Sequence, residues 1–332
     1  MSIDFTRPNL FRALLYFLLL YLLFRSREWF VAEPAVFADV AMGSPGVWLA
    51  GFFENHPVWK EIFLFVVMFS TAFSITRILS RNLIYLERTF VPVMIYPLVA
   101  LGYSSSPATP VVALAALLLV FAVDNIIKAY KQEANSGFFL NASVALGTAL
   151  LIYPAAVVFF FLLPVGFILF RQSWRSVIVA LFGYFFPIAL YSYIQWGMGY
   201  PFMETAVEMF FAILRSDSGG GLFRMGIWEY VLSGFFLFLT VFALIEFFRG
   251  QTKIRRRTLR GFVTFSWTLL FALSLFALPC RSVDMFPLLA VPLAAVIPAA
   301  FNRKSGWFPN LLYILMIWIV LSYNLVQFFP IF

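Results

Sequence analysis

Ionisable side chains are scarce in this chain, and a few of them are placed where they can do chemistry. Asp39 lies in an apolar stretch between two hydrophobic runs, where a carboxylate can act as a general base toward a hydroxyl or amine; the alternative is a solvated loop acid. Arg281 can hold a phosphate through its two-pronged guanidinium, or it can pair with Asp284 one helical turn further on.

A second group of acids has helical spacing. Glu204 and Glu208 are four residues apart, so they share one helix face, where like charges repel by about 0.2–0.5 kcal/mol. A divalent cation or a cationic substrate relieves that repulsion, and so does free solvation, which we favour. Asp124 directly follows an apolar run, and we expect it to pair with Lys128.

Other reaction classes lack the residues they need. His56 is the only histidine, so we interpret it as structural, and Cys280 is the only cysteine, which excludes an internal disulfide and a multi-cysteine metal site. The sequence has no nucleophile–histidine arrangement and no metal motif. The glycines at 219–221 are not followed by Lys-Ser/Thr, so they indicate a linker rather than a phosphate-binding loop.

The composition identifies the solvent in which these residues must be positioned. Of the 332 residues, 63% are hydrophobic and only 11% are charged, whereas a soluble domain carries about a quarter charged residues. Soluble enzymes, disordered proteins, nucleic-acid binders and disulfide scaffolds are therefore poor candidates. The composition predicts an all-α, polytopic integral membrane protein.

Charge-free runs predict where the chain crosses the membrane, because a spanning helix needs about 20 mostly apolar residues. Two long runs, 89–123 and 134–170, each contain a turn and are interpreted as two spans. The turns are the polar segment 104–110 and Tyr153-Pro154. The remaining spans are at roughly 13–24, 62–76, 176–197, 227–247, 261–279, 284–301 and 307–328. We therefore predict about eleven spans in a single transmembrane domain, 1–332.

The distribution of charge predicts the orientation, because lysine and arginine near spans stay cytoplasmic. With the N-terminus inside, 17 of the 23 basic residues fall on the cytoplasmic side, many of them in the basic loop 249–260, and ten of the 15 acids fall outside. The run 253–260 can also bind anionic headgroups, although an orientation signal is the favoured interpretation.

Two outer loops are long enough to hold helices of their own. In the loop 25–60, Pro34 and Pro45 each suit the first turn of a helix, and Ser44 suits the N-cap position. The loop 197–228 contains a predicted helix over about 202–214. We expect these helices, in the first and fourth outer loops, to lie along the membrane interface.

The order of these parts resembles the type C glycosyltransferases, polytopic enzymes that use polyprenyl-phosphate-linked sugars. The resemblance rests on the long first outer loop, the small-residue helix ending at Tyr153-Pro154, and the basic turn 171–175. It also rests on the basic turn 255–260 and on the apolar, proline-containing segment that begins at Arg281. The middle of the chain also resembles an uncharacterised family of Bacteroidota inner-membrane proteins, which implies a bacterial cytoplasmic membrane.

The resemblance implies a function and assigns site residues. Asp39, with Glu33 as a substitute, would be catalytic, and a lipid-linked sugar donor would be the partner. The other substrate-binding candidates are Arg281, Asp284, Arg224, Glu204 and Glu208. No cofactor is firmly implied, although a divalent cation is a candidate ligand of the two glutamates.

Two features depart from the family pattern and keep other functions open. Asp39 is followed by Val40 rather than by an acid or aromatic residue, and no large domain follows the last span before Phe332. A reduced relative is therefore one expectation. The alternatives are a transporter, flippase or polymerase of lipid-linked glycans, and a non-catalytic subunit of a cell-envelope assembly with protein partners.

Overall fold

The fold is helical throughout the part of the chain that the structure describes. This computed structural model describes residues 10–30, 42–85, 90–102, 108–131, 136–214, 227–249, 256–278, 283–301 and 307–328. Within these ranges there is no β-strand, so the predicted all-α class is confirmed. Short 3₁₀ segments join or end several of the helices, the longest being Pro154–Phe161.

The helices fall at the predicted apolar segments, with further helices in the two long loops. In chain order they are α1 Leu10–Phe30, α2 Ser44–Asn55, α3 Pro57–Arg81, α4 Val91–Ala100, α5 Thr109–Lys128, α6 Gly137–Ile152, α7 Leu162–Phe170, α8 Trp174–Gly197, α9 Glu204–Leu214, α10 Ile227–Arg249, α11 Arg256–Ser274, α12 Phe286–Val296, α13 Pro298–Phe301 and α14 Trp307–Phe328. The predicted break at Tyr153-Pro154 is confirmed, because α6 ends at Ile152 and the 3₁₀ helix begins at Pro154.

Five of the described helical segments are long and apolar enough to cross a membrane by length and composition. They are Pro57–Arg81, Thr109–Lys128, Trp174–Gly197, Val231–Arg249 and Thr258–Ala277. Other apolar helices are shorter; the ten residues of α4 rise only about 15 Å, half the thickness of a hydrocarbon core. The five long helices are compatible with a membrane protein.

The interior of the bundle is built from its shorter helices. Every residue of α4 and α12 is buried, and α12 packs on α4, α5, α3 and α11. The outer helices have large apolar side chains on their surfaces, such as Phe182 of α8, which is 75% exposed. Such a surface is costly in water and favourable in lipid, which agrees with the composition.

Ion pairs and helix ends define two opposite ends of the bundle. One end, called here the Asp124 end, brings together the C-terminal ends of α3 and α5, where Asp124 pairs with Arg81, and the first turns of α11, where Thr258 donates a hydrogen bond to the Leu83 carbonyl. The other end, called the α2–α9 end, contains those two helices and the start of α3. Basic residues predicted to be cytoplasmic, among them Arg81, Lys128 and Arg260, occur at the Asp124 end.

Candidate functional site

A cavity of about 940 Å³ lies between the start of α2 and one face of α9. Its wall combines the carboxylates of Glu204 and Glu208 and the hydroxyl of Ser44 with apolar side chains. The apolar lining residues are Met42, Val47, Val207, Phe211, Ala212 and Leu214. Among these described lining residues none is basic, so the cavity is electronegative as well as partly apolar.

The first residues of α2 fix this helix against the end of α6. The Gly43 N–H donates a hydrogen bond to the Ile152 carbonyl at 3.1 Å. A Cβ at residue 43 would lie 2.0 Å from the Leu151 oxygen, and one at residue 46 would lie 2.3 Å from the Ile152 oxygen. Only glycine allows so close an approach at both positions, and it brings the start of α2 to the cavity.

One prediction about α2 is wrong in its detail. The N-cap of the helix is Gly43 rather than Ser44, although Pro45 lies in the first turn as predicted. Ser44 is instead the first helical residue, and its hydroxyl donates to Oε2 of Glu208 at 2.5 Å. A serine in that position reaches a carboxylate of α9 because the glycine before it binds the α6 carbonyl.

The helix α9 supplies both carboxylates, and it begins at Glu204, two residues later than predicted. It packs against α8 and against the 3₁₀ helix Pro154–Phe161. Glu204 is in its first turn, where the helix dipole favours a negative charge. Glu204 and Glu208 therefore face one cavity, as the four-residue spacing predicted, and their contacts differ.

The two carboxylates of the cavity differ in their hydrogen bonding. Glu208 is exposed and accepts the hydrogen bond from Ser44. In Glu204 the atom Oε2 is buried and has no hydrogen-bond partner among the residues that the structure describes. A buried carboxylate oxygen without a donor costs free energy, so a hydroxyl, an amine or a cation entering the cavity would find an acceptor ready there. Free solvation, the favoured expectation for this pair, fits Glu208 better than Glu204.

A resident metal centre has little support in the described residues. They contain no group of three or more His, Cys, Asp or Glu side chains close enough to hold a metal ion. The divalent cation expected from the Glu204–Glu208 spacing would therefore draw on only two carboxylates and the Ser44 hydroxyl of the described chain. Hard cations take six or more oxygen ligands, so substrate or water would have to supply the rest.

Several predicted site residues are not in the described part of the chain. Asp39, Glu33, Arg281 and Arg224 all lie outside the described residues. Asp284 is described: it is half-buried in the 3₁₀ turn Val283–Met285 that leads into α12.

The predicted partner of Asp124 is confirmed. The ammonium of Lys128 lies 2.6 Å from Asp124 Oδ2, and the guanidinium of Arg81 binds Oδ1 of the same carboxylate. The second partner could not be inferred from local spacing, since it is 43 residues away. His56 is exposed, with its ring 4.8 Å from that of Phe52, and its structural role stays a prediction.

A buried ion pair near the α2–α9 end was not predicted from the sequence. Arg25 of α1 is completely buried, and its Nε lies 3.0 Å from Oε2 of Glu61, whose other oxygen binds the same guanidinium. The Tyr21 hydroxyl donates to the same Glu61 carboxylate at 3.1 Å. The sequence shows one charge at the end of each of two apolar runs, and no local spacing links the two residues.

Comparisons with known proteins identify no relative of this chain. No family model matches the chain, no curated protein matches it, and no solved structure matches it. The residues and geometry of this chain are therefore the only guide to its function.

Proposed function

We propose that the chain is a type C-like membrane glycosyltransferase, or a reduced relative, that moves a sugar from a polyprenyl-phosphate carrier to an acceptor. The observation that supports this most is the α2–α9 cavity, which places two carboxylates beside an apolar wall at one end of an apolar bundle. A substrate that is polar at its head and apolar along its tail fits such a lining.

The topology belongs to the same proposal. We propose eleven spans with the N-terminus cytoplasmic, so that the Asp124 end faces the cytoplasm and the α2–α9 end faces outward, in a bacterial inner membrane. In support, the described chain is helical at each of the eleven apolar segments, and Trp48 of α2 is 72% exposed, as expected of an interfacial anchor.

Each functional group has a proposed role in the transfer. Asp39, only three residues before the cavity residue Met42 in the sequence, takes the proton of the acceptor hydroxyl or amine. Arg281 binds the phosphate of the donor, with Glu33, Arg224 and Asp284 as further candidates. Glu208, oriented by Ser44, accepts a hydrogen bond from the acceptor, and Glu204 offers its unsatisfied oxygen to the same molecule.

The bonds that break and form in the transfer determine which charges and protons the site must handle. The bond between the anomeric carbon and the carrier phosphate oxygen breaks, and a new bond forms to the acceptor heteroatom. The bonding pair leaves with the polyprenyl phosphate, whose developing negative charge an arginine stabilises. The acceptor proton goes to the base. This chemistry needs no oxidant or reductant.

Comparison of lipid-linked glycans in living cells tests the proposal. A deletion strain should accumulate the sugar-loaded polyprenyl phosphate and lose the glycosylated product. Asp39→Asn should fail to restore the product, whereas Glu54→Gln, a matched change at an exposed acid of α2, should restore it. If Asp39→Asn restores the product fully, the alternatives of a transporter or a non-catalytic envelope subunit replace the enzyme.

A further inference from the structure

Three arginines at the Asp124 end have no ion pair in the described part of the chain. Arg171 and Arg175 are exposed and Arg260 is half-buried. The described acids at this end already have basic partners: Asp124 pairs with Arg81 and Lys128, and Glu246 pairs with Arg249. Three guanidinium groups without a carboxylate partner among the described residues give this surface a positive charge, which favours the binding of an anion.

Ring contacts bring Arg260 and the end of α7 together, and Arg171 and Arg175 follow that end closely in the sequence. The guanidinium carbon of Arg260 lies 4.9 Å from the ring centre of Tyr130, and the Tyr130 ring lies 6.1 Å from that of Phe170. Arg171 directly follows Phe170 at the end of α7, and Arg175 is the second residue of α8. The end of α7, the start of α8 and the first turns of α11 therefore meet around Tyr130.

The backbone at Arg171 is in an unusual conformation for a residue with a side chain. Its φ is 49°, the left-handed region, and the following N–H of Gln172 donates to the Phe167 carbonyl at 3.1 Å. Glycine is the common residue at such a helix end, because any Cβ is crowded there. An arginine in this conformation is strained relative to glycine. Strained residues cluster at functional sites, so the position fits a binding role for the charge.

An exposed indole lies between two of these arginines in the sequence. Trp174 is 75% exposed and begins α8, with Arg171 three residues before it and Arg175 directly after it. Indoles are enriched at the level of lipid headgroups, and guanidinium groups bind phosphate with two parallel hydrogen bonds. The combination fits a phosphate at the edge of a bilayer better than a phosphate in free solution.

We infer that Arg171, Trp174, Arg175 and Arg260, called here the arginine surface, bind the headgroup phosphate of an anionic phospholipid. The lipid would lie in the leaflet at the Asp124 end. This inference rests on the proposed membrane insertion but not on sugar transfer, so either can fail alone. It also goes beyond the orientation signal, because it assigns a binding role to particular arginines rather than to the sum of the basic residues.

Native mass spectrometry of the purified full chain in a neutral detergent tests the inference. Phosphatidylglycerol should stay bound under conditions that remove phosphatidylcholine. Replacing Arg171, Arg175 and Arg260 by glutamine should weaken phosphatidylglycerol binding by about 100-fold, since a basic residue near an anionic headgroup contributes about 1 kcal/mol, or about fivefold. Arg260→Lys, which keeps the charge and loses the planar fork, should bind more weakly than the parent and more tightly than Arg260→Gln.

Arg12→Gln is the matched control. Arg12 is an exposed arginine near the start of α1, a helix that packs against α4. This variant loses the same charge and should bind phosphatidylglycerol as the unaltered chain does. The inference is overturned if the triple variant binds as tightly as the parent, or if Arg12→Gln weakens binding equally per charge. Displacement of the lipid by millimolar inorganic phosphate would instead indicate a site for free phosphate.

Discussion

Gly147 of α6 lies directly against the backbone carbonyl of Tyr184 in α8, and a Cβ at residue 147 would fall 2.1 Å from that oxygen. The contact is reciprocal, because a Cβ at Gly183 of α8 would fall 2.3 Å from the Ser143 hydroxyl of α6. Small residues at both positions let the two backbones approach closely, which is how helices associate where water does not drive them together.

The first prediction concerns this contact. Gly147→Ala should lower the thermal unfolding midpoint in detergent, because backbone cannot move aside as a flexible side chain can, and overpacking costs about 1–3 kcal/mol. Gly234→Ala in α10 is the control, since a Cβ there meets no described atom within 4 Å beyond its chain neighbours and its own helix backbone. Equal midpoints for the two variants would show that α6 and α8 are not this close.

The second prediction concerns the ion pair between Arg25 and Glu61. Glu61→Gln should destabilise the protein by about 3 kcal/mol, the lower end of the range for breaking a buried pair, because Glu61 keeps 27% of its side chain exposed. Replacing both residues by methionine should recover much of that loss, since no uncompensated charge remains. Thermal unfolding without denaturant measures the stability of each variant. If the destabilisation of the double variant equalled the sum of those of the two single variants, the pairing would be contradicted.

The third prediction concerns the docking of α2. Gly46→Ala should displace the start of α2 from the Ile152 carbonyl and so reduce glycan product, with less effect on the unfolding midpoint than Gly147→Ala has. Gly51→Ala, on the same helix, should leave the product unchanged, because a Cβ there meets no other described part of the chain within 4 Å. Full product from Gly46→Ala would show that the cavity does not depend on this contact.

The fourth prediction concerns topology. With Cys280 replaced by serine, a cysteine at Asn55 should react with a membrane-impermeant thiol reagent from outside intact spheroplasts. A cysteine at Ser173 should react only after permeabilisation. Both positions are exposed, and they belong to opposite ends of the bundle. Labelling of both from the same side would refute the proposed orientation.

Much of the fold could be predicted from the sequence because apolar runs and proline positions act locally. The helix α5, the break after Ile152 and the start of α2 near Pro45 all follow from such signals. The Asp124–Lys128 pair was predictable for the same reason, since four residues make one helical turn.

The rest of the site could not be predicted, because it depends on contacts between distant segments. Ser44 suits an N-cap by its type, and only the docking of Gly43 on α6 turns its hydroxyl to Glu208, 164 residues away. Arg25 and Glu61 lie on two different helices and are 36 residues apart in the sequence. Neither partner carries a local signal of the other.

Transfer from the lipid-linked donor in a reconstituted system tests the central claim most directly. The purified chain is placed in proteoliposomes with a membrane and envelope extract of the deletion strain, which supplies both the sugar-loaded carrier and the unglycosylated acceptor. Conversion of sugar-loaded to free polyprenyl phosphate is followed by mass spectrometry. We expect conversion by the parent chain and by Glu54→Gln, a loss of about 10²- to 10⁴-fold for Asp39→Asn, and a smaller loss for Glu208→Gln. Absence of conversion by the folded parent chain, or equal rates for all four proteins, would contradict the proposed transfer.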